Sequence, residues 1–334
     1  MHLVSVVIPC FNEQTLIRSV LEAIAGQTYP RDYIEVVIAD GLSTDNTRAE
    51  IKEFSALYPD LNLIIIDNPK RKIPSGLNLA IQASHGDIII RIDAHSKPYP
   101  DYIERSVDSL LNGLGENVGG IWKILPGDNS WMALAIAKAA SLPLGVGDAM
   151  YRHATRPAYV DTVPFGAFKR ELLALIGFFN ESLLANEDYE FNARILRSGG
   201  RIWLDPKIRS QYFARRDLTE LSRQYWRYGY WKLKMLHLFP GTIRWRQVLP
   251  PLFILSLVSG IITSIYMHSF WIIPVFEILL YFLLLLFGCI KTALLERNTK
   301  LLIGIPLAIA TMHFSWGAGF LWSMISPNPK RKKD

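Results

Sequence analysis

The sequence predicts an α/β domain with a parallel sheet, followed by apolar helices at the C-terminus. Three observations lead there: short β-branched runs alternate with helix-period segments as far as Ile92, polar residues fall directly after those runs, and three long stretches from Leu249 onward carry almost no charge. Alternating strands and helices argue a sheet covered on both faces. Ligands then gather at the carboxyl ends of the strands. A chain of 334 residues buries such a core without staples, and two cysteines, Cys10 and Cys289, make neither a disulfide framework nor a zinc site. With 50% hydrophobic and 20% charged residues and a mean hydropathy of +0.17, disorder and collagen-like repeats are excluded.

Taken in order, Val4 to Ile8 is a β-branched run and Gln14 to Ala25 has helical apolar spacing. Glu35 to Ala39 reads as a second strand and Asp45 to Tyr58 as a second helix; Ile64 to Asp67, Gly76 to Ala83 and Ile88 to Ile92 repeat the theme. Asn12 and Glu13 follow the first strand, Asp40 the second, and Asp93 and His95 the strand ending at Ile92. No Walker motif or GxGxxG fingerprint is present, so phosphates have to be held another way. A helical run from Tyr189 to Leu196 ends at Gly199-Gly200. Trp131 to Gly147 is apolar and Gly-rich, which suits core packing or an acceptor-side loop.

The net charge of +6 resolves into unequal parts. Residues 1–206 hold 19 Lys and Arg against 25 Asp and Glu, whereas residues 207–246 hold 10 against 2. An acidic body and a basic belt therefore precede the apolar stretches Leu249 to Tyr266, Trp271 to Ile290 and Leu301 to Ile325. Each approaches or exceeds the ~20 residues that cross a bilayer core. Trp, Tyr and basic residues cluster near their ends, as interfacial anchors do. The start of the chain lacks the basic and apolar regions of a signal peptide, so the first 206 residues are expected in the cytoplasm. Three spans set the basic tail, Lys330 to Lys333, on the far side against the positive-inside tendency; a re-entrant segment returns it. The expected organisation is 1–215 catalytic domain, 216–248 basic amphipathic juxtamembrane segment, 249–326 transmembrane region and 327–334 basic tail. An acidic body repels nucleic acid, so no nucleic-acid partner is expected.

Three clusters carry the chemistry. Asp40-Gly-Leu-Ser-Thr-Asp45-Asn-Thr reads as a turn and N-cap, or as a ligand loop. In Arg91-Ile-Asp93-Ala-His95, strand alternation points Asp93 and His95 to one side, where a carboxylate and an imidazole can hold a divalent cation; a surface salt bridge with a loop histidine is the plainer reading. Asn186-Glu187-Asp188-Tyr189-Glu190 opens a helix, where acids often do no more than complement the helix dipole.

The order of VSVVIPCFNE, ADGLSTDNT, NPKRKIPSGLNLAI, RIDAH and NEDYEFNARILRSGG resembles the family 2 glycosyltransferases of GT-A fold over roughly residues 3–230. The RIDAH spelling, the NPKR segment and the apolar C-terminal stretches are most similar to the ExoA-type branch of succinoglycan biosynthesis, bacterial membrane enzymes that extend lipid-linked oligosaccharides. The resemblance implies a GT-A domain at the cytoplasmic face of a bacterial inner membrane, followed by transmembrane helices. It implies a nucleotide-sugar donor, a lipid-linked oligosaccharide acceptor, membrane lipids and exopolysaccharide assembly proteins as partners, and a divalent cation, Mn²⁺ or Mg²⁺. Residue by residue, Pro9, Asn12 and Glu13 match the loop beside the base and ribose. Asp40 matches the acidic residue reading a uracil edge and Asp45 closes that loop. The family's usual second Asp before Gly-Ser is missing here. Gly76 and Asn78 match the segment under the diphosphate, with Arg71 and Lys72 as phosphate contacts. Asp93 and His95 match the Asp-X-Asp metal site, with His in the last place. Asp188 matches the catalytic base, with Glu187 supporting it, and one base without a nucleophile implies inversion. Gln224, Trp226, Arg227 and Tyr228 resemble the Gln-X-X-Arg-Trp motif of membrane-associated members, where an aromatic and guanidinium cluster can clamp an acceptor diphosphate. An amphipathic interfacial helix is the plainer reading there too. The implied activity is transfer of a hexose from a UDP donor to a polyprenyl-diphosphate-linked glycan. A polyprenyl-phosphate sugar synthase and a catalytically silent nucleotide-sugar binder are the alternatives.

Overall fold

A computed structural model describes residues 1–326. The basic tail expected at 327–334 lies outside the described residues. In chain order the elements are β1 (Val4–Cys10), α1 (Ile17–Ala25), β2 (Ile34–Asp40), α2 (Thr47–Leu57), β3 (Asn62–Asp67), α3 (Ile73–Ala83), β4 (Ile88–Arg91), β5 (Ser96–Pro98), α4 (Tyr102–Leu111) and β6 (Asn117–Leu125). There follow α5 (Trp131–Ala139), α6 (Pro143–Val146), β7 (Ala158–Tyr159), β8 (Ala167–Lys169), α7 (Leu172–Ile176), α8 (Glu187–Arg197), β9 (Ile202–Phe213), α9 (Leu218–Leu238), α10 (Trp245–Tyr266), α11 (Ile272–Leu295) and α12 (Leu301–Ile325).

The chain divides into two compact units, Met1–Lys123 with Met150–Tyr212, and Ile124–Ala149 with Phe213 onward. In the first unit the strands run β3-β2-β1-β4-β8-β6-β9-β5, with β7 paired to β9. β3, β2, β1 and β4 are parallel, whereas β8 runs against both β4 and β6. The expected parallel sheet therefore holds for four strands and the whole sheet is mixed. The antiparallel additions β5, β7 and β8 are only two or three residues long, too short to carry a period-2 signal.

Alternation along β1 explains the layering. Val4, Val6 and Ile8 pack with Ile17, Val20, Leu21 and Ile24 of α1 and Phe54 of α2 on one face. Val7 packs with Leu77, Ala80 and Ile81 of α3 on the other. Each such fully buried aliphatic side chain contributes roughly 1.5–3 kcal/mol. Because β1 has β2 on one side and β4 on the other, the chain order reverses across it. That reversal opens a crevice beyond the carboxyl ends of β1 and β4.

The expected elements are recovered with shifted ends. α1 starts at Ile17 rather than Gln14, because the Glu13 carbonyl accepts from both Leu16 and Ile17 N–H and so closes a turn first. α8 starts at Glu187, after Asn186 in a left-handed conformation (φ 64°), so all three acids of the cluster, Glu187, Asp188 and Glu190, sit in its first turn. In the second unit, the Trp131 to Gly147 stretch forms α5 and α6, and Ala135, Ile136 and Ala139 enter the core with Leu301, Ile305 and Ile309 of α12. α10, α11 and α12 are each long and apolar enough to cross a membrane.

Candidate active site

In the first unit, the loops after β1 and β2 are stitched together. Asn12, at φ 55°, donates its N–H to Ser43 Oγ (2.8 Å) and accepts at Oδ1 from Thr44 N–H (2.9 Å). Glu13 N–H donates to Thr47 Oγ1 (2.8 Å), and Asp45 accepts from Gln14 N–H (3.2 Å) and from Thr47 Oγ1 (2.5 Å). Asp40 is fully buried and accepts from Ser43 N–H (3.0 Å), Ser43 Oγ (2.5 Å) and Arg48 Nε (2.5 Å). Its carboxylate thus organises the loop that holds Asp45.

The segment matched to the diphosphate is likewise built from backbone upward. Gly76 lies against the sheet, where an added Cβ meets Asn68 Nδ2 at 2.9 Å and Pro9 Cβ at 3.4 Å. Asn78 is buried and exchanges two hydrogen bonds with the Phe179 backbone, its Nδ2 donating to the carbonyl and its Oδ1 accepting from the N–H (2.9 Å each). Both residues fasten α3, and Arg71 and Lys72 expose their charged side chains beside it. The Arg71 guanidinium sits 5.6 Å over the Phe11 ring.

At the end of β4 the chain turns rather than continuing as a strand: Ser96 N–H donates to the Asp93 carbonyl (2.9 Å). Alternation therefore does not govern Asp93 and His95. Asp93 is gripped by Arg91, whose Nε and Nη2 donate to its two oxygens (2.9 and 3.3 Å). His95 Nδ1 lies 3.6 Å from Glu13 Oε1, bridging the ends of β4 and β1 across the crevice. Arg91 Nη2 also donates to Glu187 Oε1 (3.0 Å), which ties the end of β4 to the N-terminus of α8.

Arg91 is buried. Burial lowers its pKa, but Asp93, Glu187 and Asp188 more than offset that and hold it charged. Asp188, one residue on from Glu187, accepts Tyr189 N–H at Oδ1 (2.7 Å). Burial, reinforced by Glu187, pushes its carboxyl up to about 6 against the opposing pull of Arg91. Asp188, Arg91, Asn117 and Asn192 line a small internal cavity, in which Arg91 Nη1 and Asn117 Oδ1 have no hydrogen-bond partner within the described residues. α8 is rigidly seated: Glu190 holds Arg194 (3.0 Å), which donates to the Phe178 carbonyl (2.8 Å), and Asn192 takes the Asn117 amide (2.6 Å). One carboxylate of raised basicity thus stands on a fixed helix end beside a buried cation.

The Glycosyl transferase family 2 model matches residues 5–176, more than half of the chain and the whole of the crevice-forming sheet as far as β8. The chain belongs to glycosyl transferase family 2. It is 28% identical over 332 residues to the dolichyl N-acetyl-alpha-D-glucosaminyl phosphate 3-beta-D-2,3-diacetamido-2,3-dideoxy-beta-D-glucuronosyltransferase of Methanococcus voltae, covering 98% of this chain and 99% of the relative. It is 30% identical over 329 residues to the succinoglycan biosynthesis protein ExoA of Rhizobium meliloti, covering 94% and 93%. Among solved structures, the mannosyltransferase PcManGT of Pyrobaculum calidifontis, in complex with GDP-Man and Mn²⁺, superposes with a TM-score of 0.68 at 19% identity over 97% of this chain and 87% of that one, which shows the GT-A-like fold.

For a family 2 glycosyltransferase the metal question is answerable from the donor set. No group of three His, Cys, Asp or Glu able to hold a cation occurs among the described residues. Asp93 and His95 supply an oxygen and a nitrogen. Cations in nucleotide sites commonly take one or two protein groups and fill the remaining positions with phosphate oxygens and water. Two protein donors fit that pattern.

The segment Gln224 to Tyr228 lies on α9, in the second unit. Gln224 Nε2 donates to Tyr228 Oη (2.9 Å) one turn on, while Trp226 and Arg227 are exposed. The residue that sequence reasoning passed over is Arg91. Its signal was a charge closing the otherwise aliphatic run Ile88-Ile89-Ile90, where a buried cation demands buried anions.

Proposed function

We propose that this family 2 glycosyltransferase is a metal-dependent, inverting enzyme. Residues 1–215 form its catalytic part, which transfers a hexose from a nucleoside-diphosphate donor, UDP by the Asp40 match, to a polyprenyl-diphosphate-linked glycan at the cytoplasmic face of a bacterial inner membrane. The observation that carries this reading is Asp188, a carboxylate of raised basicity fixed at the start of α8 and joined through Glu187 and Arg91 to Asp93. Such a group suits removal of a proton from an attacking hydroxyl at neutral pH.

Asp188 takes the acceptor hydroxyl proton as that oxygen bonds to the anomeric carbon, and the bond from that carbon to the diphosphate breaks on the opposite face. Asp93 and His95 would hold the divalent cation, which when bound offsets the charge of the departing diphosphate. Arg91 pairs with Asp93 and Glu187 and keeps both in place. Asn12, Glu13, Asp40 and Asp45 shape the base and ribose side, Pro9, Gly76 and Asn78 the floor beneath the diphosphate, and Arg71 and Lys72 approach its phosphates. Gln224, Trp226, Arg227 and Tyr228 meet the acceptor.

Support for a lipid-linked acceptor comes from two full-length relatives, one named for a dolichyl-phosphate-linked sugar and one for succinoglycan biosynthesis. The latter also motivates a role in exopolysaccharide assembly. The test is incubation with membrane lipid extract, Mn²⁺ and a panel of labelled nucleotide sugars. Label is expected in a lipid-linked oligosaccharide. Label on bare polyprenyl phosphate instead supports a sugar-phosphate synthase, and nucleotide binding without transfer from any donor supports a silent binder.

A further inference from the structure

We infer that α12, although long and apolar enough to span, does not cross the membrane, and that the α10–α11 hairpin is the only described part of the second unit that enters lipid. This rests on the second unit alone and is independent of the proposed reaction.

α12 is sheathed at both ends by segments that do not span. Near its start, Gly304 leaves no room for a side chain, since an added Cβ meets Ala135 Cβ at 2.7 Å and the Trp131 ring at 2.9 Å, both on α5. Lys138 of α5 pairs with Glu296, just ahead of α12. Farther along, Gly145 of α6 faces Ile309 and Met312, each 3.3 Å from where a Cβ on that glycine would stand. The second half lies along α9: Ser222 and Ser315 hydroxyls meet at 2.9 Å, and glycines at 229 and 319 let the two backbones touch. Lys234 of α9 donates to the carbonyls of Ser323 and Ser326 (3.4 and 3.5 Å), closing the C-terminal end of α12 with a charge.

The sidedness follows by counting crossings. Among the described residues every helix able to span lies after Arg244, so the chain between α5 and α9 makes no helical crossing and both helices sit on one side of the bilayer. α12 has its first half on α5 and α6 and its second half on α9. Both of its ends therefore belong to that same side. Were α12 to span, α9 beside it would carry the exposed Arg223 and Arg227 into hydrocarbon.

The hairpin presents the opposite surface. Only 17% of the apolar window of α10 and of α11 is buried, against 56% for α12. Val258, Ile262, Ile265, Leu283 and Phe287 stand out toward solvent with no covering element among the described residues. Basic groups frame its base, Arg244 and Arg246 before and at the start of α10 and Arg297 and Lys300 after α11, which suits anionic headgroups flanking a hydrocarbon-filling hairpin. A bilayer core is the occupant this chemistry selects. The even number of crossings also leaves Ser326, at the end of α12, on the side of α9.

The test places single cysteines in the full chain, after Cys10→Ser and Cys289→Ala, at Arg223, Thr299 and Met324, which are all exposed. Membrane-impermeant maleimide is applied to sealed vesicles of each orientation. All three positions are expected to react from one and the same face. Reaction of Thr299 or Met324 from the face opposite Arg223 overturns the inference. Because cysteine replacement can disturb packing, the unsubstituted chain with a C-terminal epitope is digested in the same vesicles. Loss of the epitope from the face on which α9 is cleaved is expected, and protection there contradicts the inference. Lipid-dissolved photoreactive diazirine is expected to mark peptides within 255–287; their failure to be marked equally overturns it.

Discussion

Asp188 and Arg91 form a pair whose properties depend on each other. A base must be ionised to act, so a carboxyl raised to about 6 gives transfer an acid limb centred near pH 6, with full activity above it. Arg91→Met removes the cation that opposes the rise. The limb should move to higher pH, and leaving the buried Glu187 and the half-buried Asp93 without their partner should destabilise the fold by on the order of 3 kcal/mol. Arg91→Lys keeps the charge but loses the two-pronged grip, so the limb should stay while the metal requirement rises, as read by Mn²⁺ titration of nucleotide binding. The same raised pKa acts on stability. Asp188 has a folded pKa above its ordinary value of 3.8, so its charged form opposes folding above pH 6 and this burden disappears as pH falls toward 4. Asp188→Asn should therefore raise the melting temperature at pH 8 and leave it unchanged near pH 4.

At the level of elements, the parallel half of the sheet depends on Glu35. This buried carboxylate of β2 accepts from Ser5 Oγ on β1 (2.5 Å) and from Gly86 N–H ahead of β4 (2.9 Å), with His85 N–H as a third donor. Burial raises its pKa, but those donors outweigh burial and the pKa is lowered. The resulting stabilisation is complete above the ordinary value of 4.5 and is lost as pH falls through the lowered folded value. Glu35→Ala should cost on the order of 3 kcal/mol by orphaning buried donors, measured by urea unfolding of the detergent-solubilised chain. Between α9 and α12 the decisive residues are small. A Cβ at Gly229 comes within 2.0 Å of the Trp316 carbonyl oxygen and one at Gly319 within 2.3 Å of the Trp226 carbonyl oxygen, so Gly229→Leu or Gly319→Leu should separate these helices and lower the unfolding midpoint. What was legible in sequence follows the same physics. β1, β2 and α1 to α3 announce themselves because β-branched runs and amphipathic periods extend over six or more residues. β7 and β8 do not, since two or three residues carry no period. Motif order singles out Asp93 and Asp188 in the sequence, whereas nothing in the motif singles out Arg91. Its bond to Glu187 joins residues 96 apart and exists only once α8 is packed. Gly76 and Asn78, which match the segment under the diphosphate, also fasten α3, a packing role that a motif cannot display.

For the whole molecule, the charge of +6 is best understood as an acidic body joined to a basic belt, residues 207–246 carrying 10 Lys and Arg against 2 Asp and Glu. Attraction of such a belt to anionic lipid is worth about 1 kcal/mol per basic residue near the surface and is screened within a Debye length. Exchanging Arg223 and Lys207 for Gln should therefore weaken recruitment to anionic vesicles in low salt and matter little in high salt. As the base of the proposed sugar transfer, Asp188 is the side chain on which turnover should depend most. The most direct measurement compares wild-type and Asp188→Asn chains for transfer of labelled sugar to lipid-linked acceptor and, in parallel, for Mn²⁺-dependent nucleotide binding. Turnover should fall by roughly 10²–10⁴-fold with nucleotide binding preserved; near-normal turnover in the Asn variant contradicts the account.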